Sequence, residues 1–411
     1  MEQASGAGAA TIEFEHVSKR YDTSARSKGT PGAVDDLSLT VPAGRICALV
    51  GPSGCGKTTT LKMVNRLIEP TDGRILIDGV DIASIDVTEL RRGIGYVIQQ
   101  TGLFPHQTIA QNVGTVPRLL GWDKARVGRR CDELLSLVGL EPRTYGDRYP
   151  SQLSGGERQR VGVARALAAD PPVMLMDEPF GAVDPIVRER LQNEFLRLQE
   201  DLAKTILFVT HDIDEAIKMG DLVVVMQQGG KIAQAGAPAE LLAAPSSEYV
   251  ARFVGADRGL KRLSLYRVGD VDLRPAPVVR VGDSAESVRA VGRERDEHYL
   301  LLVDGTDRPL GWVEAADLEP GRVVSEADAD PATPLLDRRD TLKDATSRLL
   351  DAEVRYGVVV DRTGRVLGLL TLDAVMDWMQ DDRSREVPGD IAEAVSEAVV
   401  IDDPDALVEA G

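Results

Sequence analysis

The stretch from Gly51 to Thr58, which reads GPSGCGKT, limits the possible folds of this chain more than any other. Its two glycines bracket four residues and are followed by lysine and threonine, which is the spacing of a loop that wraps around a polyphosphate. The apolar run 46–50 before it predicts a buried strand, and residues 58–66 after it predict a helix. This order of strand, loop and helix predicts an α/β domain that binds a nucleotide. It argues against the alternative, a glycine-rich turn without a ligand.

The residues of this loop have separate expected roles. Glycine lets the backbone curl closely around the anion, so that loop N–H groups and the start of the helix point at phosphate. Lys57 would reach the β- and γ-phosphates, and Thr58 would ligate Mg²⁺ through its hydroxyl. Cys55 fits a small loop position better than a nucleophile. The residues expected to bind the nucleotide are Gly51, Pro52, Ser53, Gly54, Cys55, Gly56, Lys57, Thr58 and Thr59.

Polar residues follow two further predicted strands. Residues 173–176 form an apolar run that ends at Asp177 and Glu178. Because open α/β sheets bind ligands at the C-terminal ends of their strands, we expect Asp177 to hold Mg²⁺ and Glu178 to act as general base. A structural ion pair is the alternative. Residues 205–210 predict another strand, followed by His211, for which a γ-phosphate contact is favoured over a packed side chain.

A second anion-binding helix start lies at Ser154, Gly155 and Gly156, followed by Glu157. One chain therefore carries one phosphate loop and one further helix start suited to an anion. If these hold opposite sides of a nucleotide, two copies must close head to tail around two nucleotides. Removing the γ-phosphate would then loosen the interface between the copies.

Composition sets the broad class. The 411 residues predict two or three domains, and a net charge of −18 with a pI near 4.8 disfavours nucleic acid as a partner. Most of the negative charge lies after residue 255, where 34 acidic residues outnumber 20 basic ones. Three cysteines favour a reducing compartment. Without a long apolar run or a signal peptide, the protein is expected to be cytosolic and to touch a membrane only through a partner.

Over residues 12–250 these motifs occur in the order found in ATP-binding-cassette (ABC) ATPases, which the chain closely resembles. The resemblance implies a RecA-like α/β P-loop nucleotide-binding domain with a helical insertion at about 100–160. The small and polar residues before this domain predict a disordered segment 1–11. It implies Glu178 as catalytic base, His211 as switch and Asp184 in the D-loop. It also implies that Ser154 to Glu157 bind the γ-phosphate held by the other copy of a homodimer. The cofactors would be ATP and Mg²⁺.

Two further site residues come from the same resemblance. Gln99 would be a catalytic sensor near Mg²⁺. Tyr21 would stack on adenine, although its position alone allows a packing role equally well. The departures from the family pattern are Glu157, where glutamine is commonest, and the turn Gly181-Ala-Val-Asp, where Ser-Ala-Leu-Asp is usual.

The segments 94–123, 147–172 and 255–265 are similar to those of ATPase subunits of osmoprotectant importers. This similarity implies a quaternary-amine-transporting ATPase at the cytoplasmic face of the membrane. Its partners would be integral membrane permease subunits and, through them, an extracytoplasmic substrate-binding protein. Import of another small solute, a non-transport ABC ATPase and a nucleotide-sensing protein stay open as alternatives. Apolar residues of the first segment could dock on the permease or pack internally; they are Leu103, Phe104, Leu119, Leu120 and Trp122.

The second half repeats itself at an offset of 57 residues, so that Tyr299 aligns with Tyr356 and Leu310-Gly311 with Leu367-Gly368. The pattern resembles a tandem of cystathionine-β-synthase (CBS) domains at 256–380, with repeats at about 265–320 and 326–379, and implies an α+β regulatory module. Neither copy keeps the full nucleotide pattern of that family, which argues against nucleotide sensing, whereas a dinucleotide at the interface of the pair stays open as an alternative. The acidic tail 381–411 is expected to be disordered. Ionic-strength sensing is one hypothesis. In it the acidic tail or an anionic lipid is held by arginines, which are Arg289, Arg293, Arg295, Arg338 and Arg339.

Overall fold

The structure is a computed structural model that describes residues 8–21, 32–98, 102–181, 184–352, 356–381 and 389–398. The chain forms two compact units. The first holds the described residues up to Ala256 together with 389–398, and the second holds those from Asp257 to Asp381. Of the predicted site residues, Gln99 lies outside the described residues.

The first unit is built on two sheets. Its strands are β1 Ile12–Lys19, β2 Val34–Val41, β3 Ile46–Val50, β4 Asp72–Ile77, β5 Val80–Asp81, β6 Ile94–Val97, β7 Val173–Asp177, β8 Thr205–Thr210, β9 Leu222–Gln227 and β10 Lys231–Gly236. The larger sheet has the order β10-β9-β3-β8-β7-β6, in which all neighbours except β10 and β9 are parallel. The smaller sheet has the order β2-β1-β4-β5 and is antiparallel.

The central strands of the larger sheet are short apolar runs because both of their faces are covered. Every residue of β3, β7, β8 and β9 is buried. Residues of the smaller sheet, such as Phe14 and Leu39, share one core with Leu49 and Leu175 of the larger sheet. This packing fixes the carboxyl ends of the parallel strands, where the phosphate loop, Asp177, Glu178 and His211 lie.

The helices of the first unit follow the predicted phosphate loop and fill the stretch predicted to leave the sheet. They are α1 Lys57–Val64, α2 Val87–Arg92, α3 Ile109–Val113, α4 Thr115–Leu119, α5 Lys124–Leu137, α6 Pro142–Tyr145, α7 Gly155–Leu167, α8 Pro185–Leu202, α9 Ile213–Met219, α10 Pro238–Ala243 and α11 Glu248–Val254. Between β6 and β7 the described chain is helical, as the loss of β-branched apolar runs predicts. Ala10, within the segment expected to be disordered, is buried against the first core.

The second unit contains the predicted duplication. After α12 Arg258–Ser264, the first copy consists of β11 Val278–Arg280, α13 Ala285–Arg295, β12 Tyr299–Val303 and β13 Pro309–Glu314, and β14 Asp330–Pro331 pairs with β13. The second copy consists of α14 Leu342–Asp351 and α15 Leu372–Asp381 around β15 Leu335–Asp337, β16 Tyr356–Val360 and β17 Val366–Thr371. The same offset of 57 residues relates the first residues of β11 and β15, α13 and α14, β12 and β16, and β13 and β17. Residues of both copies, including Trp312 and Leu369, share one apolar cluster.

The expectation of a disordered acidic tail is wrong for residues 389–398. Residues Gly389–Glu397 form helix α16, which packs against β2 and β10 of the first unit. Ile391 and Ala394 are each 1% exposed and belong to the core of that unit. Their spacing of three residues puts both on one face of the helix, and a charge count of the tail does not reveal this pattern.

The tail's acidic residue Asp390 pairs with the first unit. Its carboxylate accepts two hydrogen bonds from the Arg45 guanidinium, at 2.6 and 3.1 Å. The arginines proposed from the sequence to hold the tail have other partners. Arg339 pairs with Asp337, and Arg289 donates to the backbone carbonyl of Ala315. Within the described residues, no helix combines the length and the apolar character needed to cross a bilayer.

Candidate functional site

The phosphate loop joins β3 to α1 in the conformation that its glycines predict. Gly56, the N-cap of α1, has φ of +103°, and Gly54 has φ of +81°. A Cβ at Gly56 would lie 2.3 Å from the carbonyl oxygen of Ala33, so no other residue fits there. The first turn of α1 therefore begins inside the loop, and its N–H groups point toward the space that the loop encloses.

Lys57 is folded over this loop. Its side chain is buried, and its Nζ donates to the carbonyl oxygens of Gly51 at 2.7 Å and Pro52 at 2.9 Å. The Sγ of Cys55, also buried, lies 3.6 Å from the same nitrogen. A buried ammonium needs such acceptors, and phosphate oxygens entering the loop would offer it stronger ones. Cys55 fills space beside the lysine, as expected for a small loop residue.

Thr58 and Asp177 meet although they lie far apart in the sequence. The Thr58 hydroxyl donates to Oδ1 of Asp177 at 3.0 Å, because α1 starts beside the carboxyl end of β7. Burial raises the pKa of the Asp177 carboxyl, and the hydrogen bond from Thr58 acts in the opposite direction. A hydroxyl and a carboxylate are hard oxygen ligands of the kind Mg²⁺ takes. Within the described residues no cluster of three or more His, Cys, Asp or Glu could hold a metal by itself.

Glu178 and His211 lie at the ends of neighbouring strands. The Nδ1 of His211 is 3.2 Å from Oε1 of Glu178, and the Glu178 N–H donates to the carbonyl of Val209 at 2.9 Å. Glu178 has φ of +47°, a left-handed conformation that costs a non-glycine residue about 1–2 kcal/mol. Such strain is retained where a side chain must point in one direction. Here it brings the carboxylate to the histidine rather than to the sheet.

Tyr21 lies at the rim of the loop. Its side chain is 64% exposed, and its hydroxyl is 3.3 Å from Oγ1 of Thr59 in α1. The Nζ of Lys19 lies 5.5 Å from the centre of the ring. The ring therefore stands beside the phosphate loop with most of its surface accessible, which leaves a face available for a planar group.

The second anion-binding helix start is α7. The Ser154 hydroxyl accepts from the Glu157 N–H at 3.3 Å, and Glu157 accepts from the Ser154 N–H at 2.7 Å, which is a capping box. The other oxygen of Glu157 accepts from the Tyr145 hydroxyl at 2.8 Å. These bonds lower the pKa of the Glu157 carboxyl. Glu157 thus shapes the start of the helix, and the first N–H groups of α7 are those suited to an anion.

Asp184 is brought to the same place as this helix start. It caps α8 by accepting from the Val187 N–H at 3.1 Å. An open cavity of about 360 Å³ is lined by Asp184 together with all four signature residues; they are Ser154, Gly155, Gly156 and Glu157. The described site residues therefore form two groups. The phosphate loop, Asp177, Glu178 and His211 make one, and the signature residues with Asp184 make the other.

A buried polar group that the sequence motifs do not predict lies next to His211. Glu215 accepts hydrogen bonds from the Thr210 hydroxyl and from Nε2 of Gln192, the latter at 3.2 Å. All three side chains are buried. The sequence offers one signal for this group: Glu215 is the third residue of α9 and is followed by the apolar residues Ala216 and Ile217.

Known proteins resemble this chain along most of its length. A family model described as ABC transporter matches residues 34–181. The osmoprotectant import ATP-binding protein OsmV of Salmonella typhimurium is 46% identical over 376 residues, which cover 91% of this chain and 97% of that protein. The glycine betaine/carnitine/choline transport ATP-binding protein OpuCA of Bacillus subtilis is 43% identical over 374 residues, covering 90% and 96%.

A solved structure supports the fold. The structure of cbiO1 from Clostridium perfringens, described as part of the ABC transporter complex cbiONQ, has a TM-score of 0.53 at 26% identity. It covers 62% of this chain and 94% of its own. The fraction of this chain that cbiO1 covers is close to the fraction that the first unit makes up. The curated relatives match about 90% of the chain and therefore extend into the second unit.

Proposed function

Since this chain belongs to the family of ATP-binding subunits of osmoprotectant ABC importers, we propose that it hydrolyses ATP to power import of a quaternary-amine osmoprotectant. Glycine betaine, choline and carnitine are the candidate cargoes, with proline as a fourth. The first unit is the RecA-like ABC cassette. The observation that carries the proposal is the hydrogen bond of 3.0 Å between Thr58 and Asp177, which joins the phosphate loop to the strand that leads into Glu178.

In the proposed reaction the phosphates are bound first. Lys57 exchanges the carbonyls of Gly51 and Pro52 for phosphate oxygens. Thr58 and Asp177, whose side chains meet at 3.0 Å, would hold Mg²⁺, and the ion would supply positive charge against the negative charge that develops on the phosphates.

Hydrolysis then depends on the groups at the carboxyl ends of β7 and β8. Glu178 takes a proton from water as the water oxygen bonds to the γ-phosphorus and the bond to the bridging oxygen breaks. His211, 3.2 Å from Glu178, contacts the γ-phosphate and keeps the carboxylate directed at the water. Gln99 is assigned to sense Mg²⁺, and Tyr21 to stack on adenine.

The active form is proposed to be a homodimer. The phosphate loop contacts Asp177, whereas Ser154 and Gly155 line a different cavity with Asp184, so one chain offers half of each nucleotide site. Two copies related head to tail would bring the α7 helix start of one to the γ-phosphate held by the other. ATP then closes the pair, and hydrolysis releases it.

Permease subunits are the proposed membrane partners, and they would hold the dimer at the cytoplasmic face of the membrane. An extracytoplasmic binding protein would act through them. The helical insertion offers a docking surface, because Phe104, Leu119 and Leu120 are 41%, 62% and 39% exposed. Trp122 is partly covered by Arg126, whose guanidinium carbon lies 3.6 Å from the ring centre. Large apolar side chains exposed on one insertion suit a protein interface.

The second unit is proposed to be a tandem CBS module that regulates the cassette. Its support is the pair of α+β copies that share one apolar cluster. Adenine nucleotides are poor candidates for its ligand. The Thr371 hydroxyl, the one that remains of the nucleotide pattern, accepts from the Ala374 N–H at 3.0 Å and so caps α15.

The test of the proposed function uses the Glu178→Gln variant and the parental chain in vesicles that hold the permease. We expect Glu178→Gln to bind ATP, to form dimers with it and to lose hydrolysis. Uptake of radiolabelled glycine betaine, choline, carnitine and proline by the parental complex identifies the cargo. Hydrolysis by Glu178→Gln at the parental rate would refute the assigned base, and uptake of none of the four would refute the cargo class.

A further inference from the structure

A buried carboxylate, that of Glu215, is hydrogen-bonded to the turn that carries His211. We propose that Glu215 is a positioning residue for hydrolysis, which fixes His211 through the hydroxyl of Thr210. The inference rests on the role of His211 in the proposed function. Glu215 lies in α9, four residues after His211, and is 6% exposed. A carboxylate so buried is retained only where hydrogen-bond donors satisfy it.

Thr210 is the connection between Glu215 and the turn. It is the last residue of β8 and is buried, and its hydroxyl donates to Oε2 of Glu215. The same hydroxyl oxygen accepts from the Asp212 N–H at 3.0 Å. The residues on both sides of His211 are therefore tied to one hydroxyl, whose proton is committed to Glu215. This arrangement fixes the backbone at His211 and with it the orientation of the imidazole side chain.

A second element is bonded to the same turn. Nε2 of Gln192 in α8 donates to Oε1 of Glu215 at 3.2 Å. One helical turn earlier, Arg188 pairs with Asp212 at 3.5 Å. Residues four apart lie on one face of a helix, so Arg188 and Gln192 contact the segment around His211 from the same face of α8. Asp184, which lines the signature cavity, is the N-cap of α8, so the helix that it caps is bonded to the segment that carries His211.

Packing alone does not account for this choice of residue. The neighbours Ala216, Ile217 and Met219 in α9 are buried and apolar, and an apolar side chain in place of Glu215 would avoid the cost of burying a carboxylate. Burial raises the pKa of Glu215, whereas its bonds from Thr210 and Gln192 lower it. A fully satisfied polar network specifies one geometry. Catalytic groups must be held within about 0.5 Å of their productive position, which such a network supplies.

The first experiment compares Thr210→Val with Thr210→Ser in the full-length chain. Valine keeps the shape and removes the hydroxyl, whereas serine keeps the hydroxyl. We expect Thr210→Val to lower the kcat for ATP about 10-fold to 100-fold, since a displacement of about 1 Å has an effect of this size. Its KM and its equilibrium affinity for ATP should stay within about twofold of the parental values. Thr210→Ser should restore most of kcat. Parental kcat in Thr210→Val, or equal losses in both variants, would overturn the proposal.

The second experiment separates this inference from the proposed function. Glu215→Gln keeps the volume of the side chain but replaces one of its two acceptor oxygens, which face Thr210 and Gln192, by an NH2 group. We expect the same fall in kcat with unchanged ATP affinity. Combined with Thr210→Val, it should lower kcat no further, because both act through one connection. His211→Ala is measured in parallel. Parental hydrolysis by His211→Ala would refute the proposed role of His211. Loss of hydrolysis there, with parental rates in Thr210→Val and Glu215→Gln, would refute only the inference.

Discussion

Helix α16 is held on the cassette by two kinds of contact, the buried side chain of Ile391 and the ion pair between Arg45 and Asp390. Their contributions to docking can be separated by mutation. Truncating Ile391 to alanine removes three carbon atoms from a side chain that is 1% exposed. At about 0.8 kcal/mol for each buried carbon, the loss is about 2.4 kcal/mol, or roughly 50-fold in the docking equilibrium. The ion pair between Arg45 and Asp390 is more than a third exposed on both sides, and exposed pairs contribute about 0–1 kcal/mol. Removing it should change the equilibrium by about fivefold or less.

Amide hydrogen exchange in residues 389–398 measures this difference. We expect Ile391→Ala to speed exchange there about 50-fold, Asp390→Ala to speed it at most about fivefold, and the exposed Glu393→Ala control to leave it near the parental rate. Raising KCl from 0.1 to 1 M should have little effect, because screening acts on the ion pair and not on apolar burial. If Asp390→Ala equals Ile391→Ala, or if salt alone releases the helix, the apolar account is wrong and the clamp is ionic.

Three further predictions concern the nucleotide site. Gly56→Ala should abolish ATP binding and lower the melting temperature, because its Cβ would lie 2.3 Å from the Ala33 carbonyl and φ is positive; equilibrium nucleotide binding and calorimetry check both. Thr58→Val should raise the Mg²⁺ concentration needed for half-maximal hydrolysis at least tenfold, while Thr58→Ser should not, as a magnesium titration would show. Asp177→Asn should end hydrolysis yet stabilise the fold at pH 7. The folded-state pKa of Asp177 is raised, so its ionisation opposes folding above that pKa and has no effect below the unfolded value of 3.8. Thermal melting at pH 7 should therefore show a gain that disappears toward pH 3.

The sequence predicts the nucleotide site better than the connections behind it. The phosphate loop, Asp177, Glu178 and His211 each follow an apolar strand, and parallel strands bring such residues to one edge of a sheet. In the structure this topology brings Thr58 and Asp177 within hydrogen-bonding distance. Gln192 and Glu215 were not predicted, because their partnership depends on how α8 packs against α9, and neither residue type signals burial on its own. Helix α16 was missed because ten acidic residues among the last 31 hide a short apolar face.

That helix changes how the proposed regulatory module must be studied. A cut after Gly255 follows the division that the sequence suggests, but it also removes α16 and uncovers the face of β2 and β10 that Ile391 and Ala394 cover. A changed salt response in such a variant could arise from the exposed face and not from the missing module. Because α16 belongs to the first unit, the second unit is attached to the cassette at both of its ends. The informative deletion removes 257–386, joins the flanking residues through a Gly/Ser linker and keeps 389–398. If the module senses ionic strength, hydrolysis by the transporter complex should lose its dependence on KCl in this variant and retain it in Ile391→Ala. The reverse pattern would assign the salt response to the docked helix.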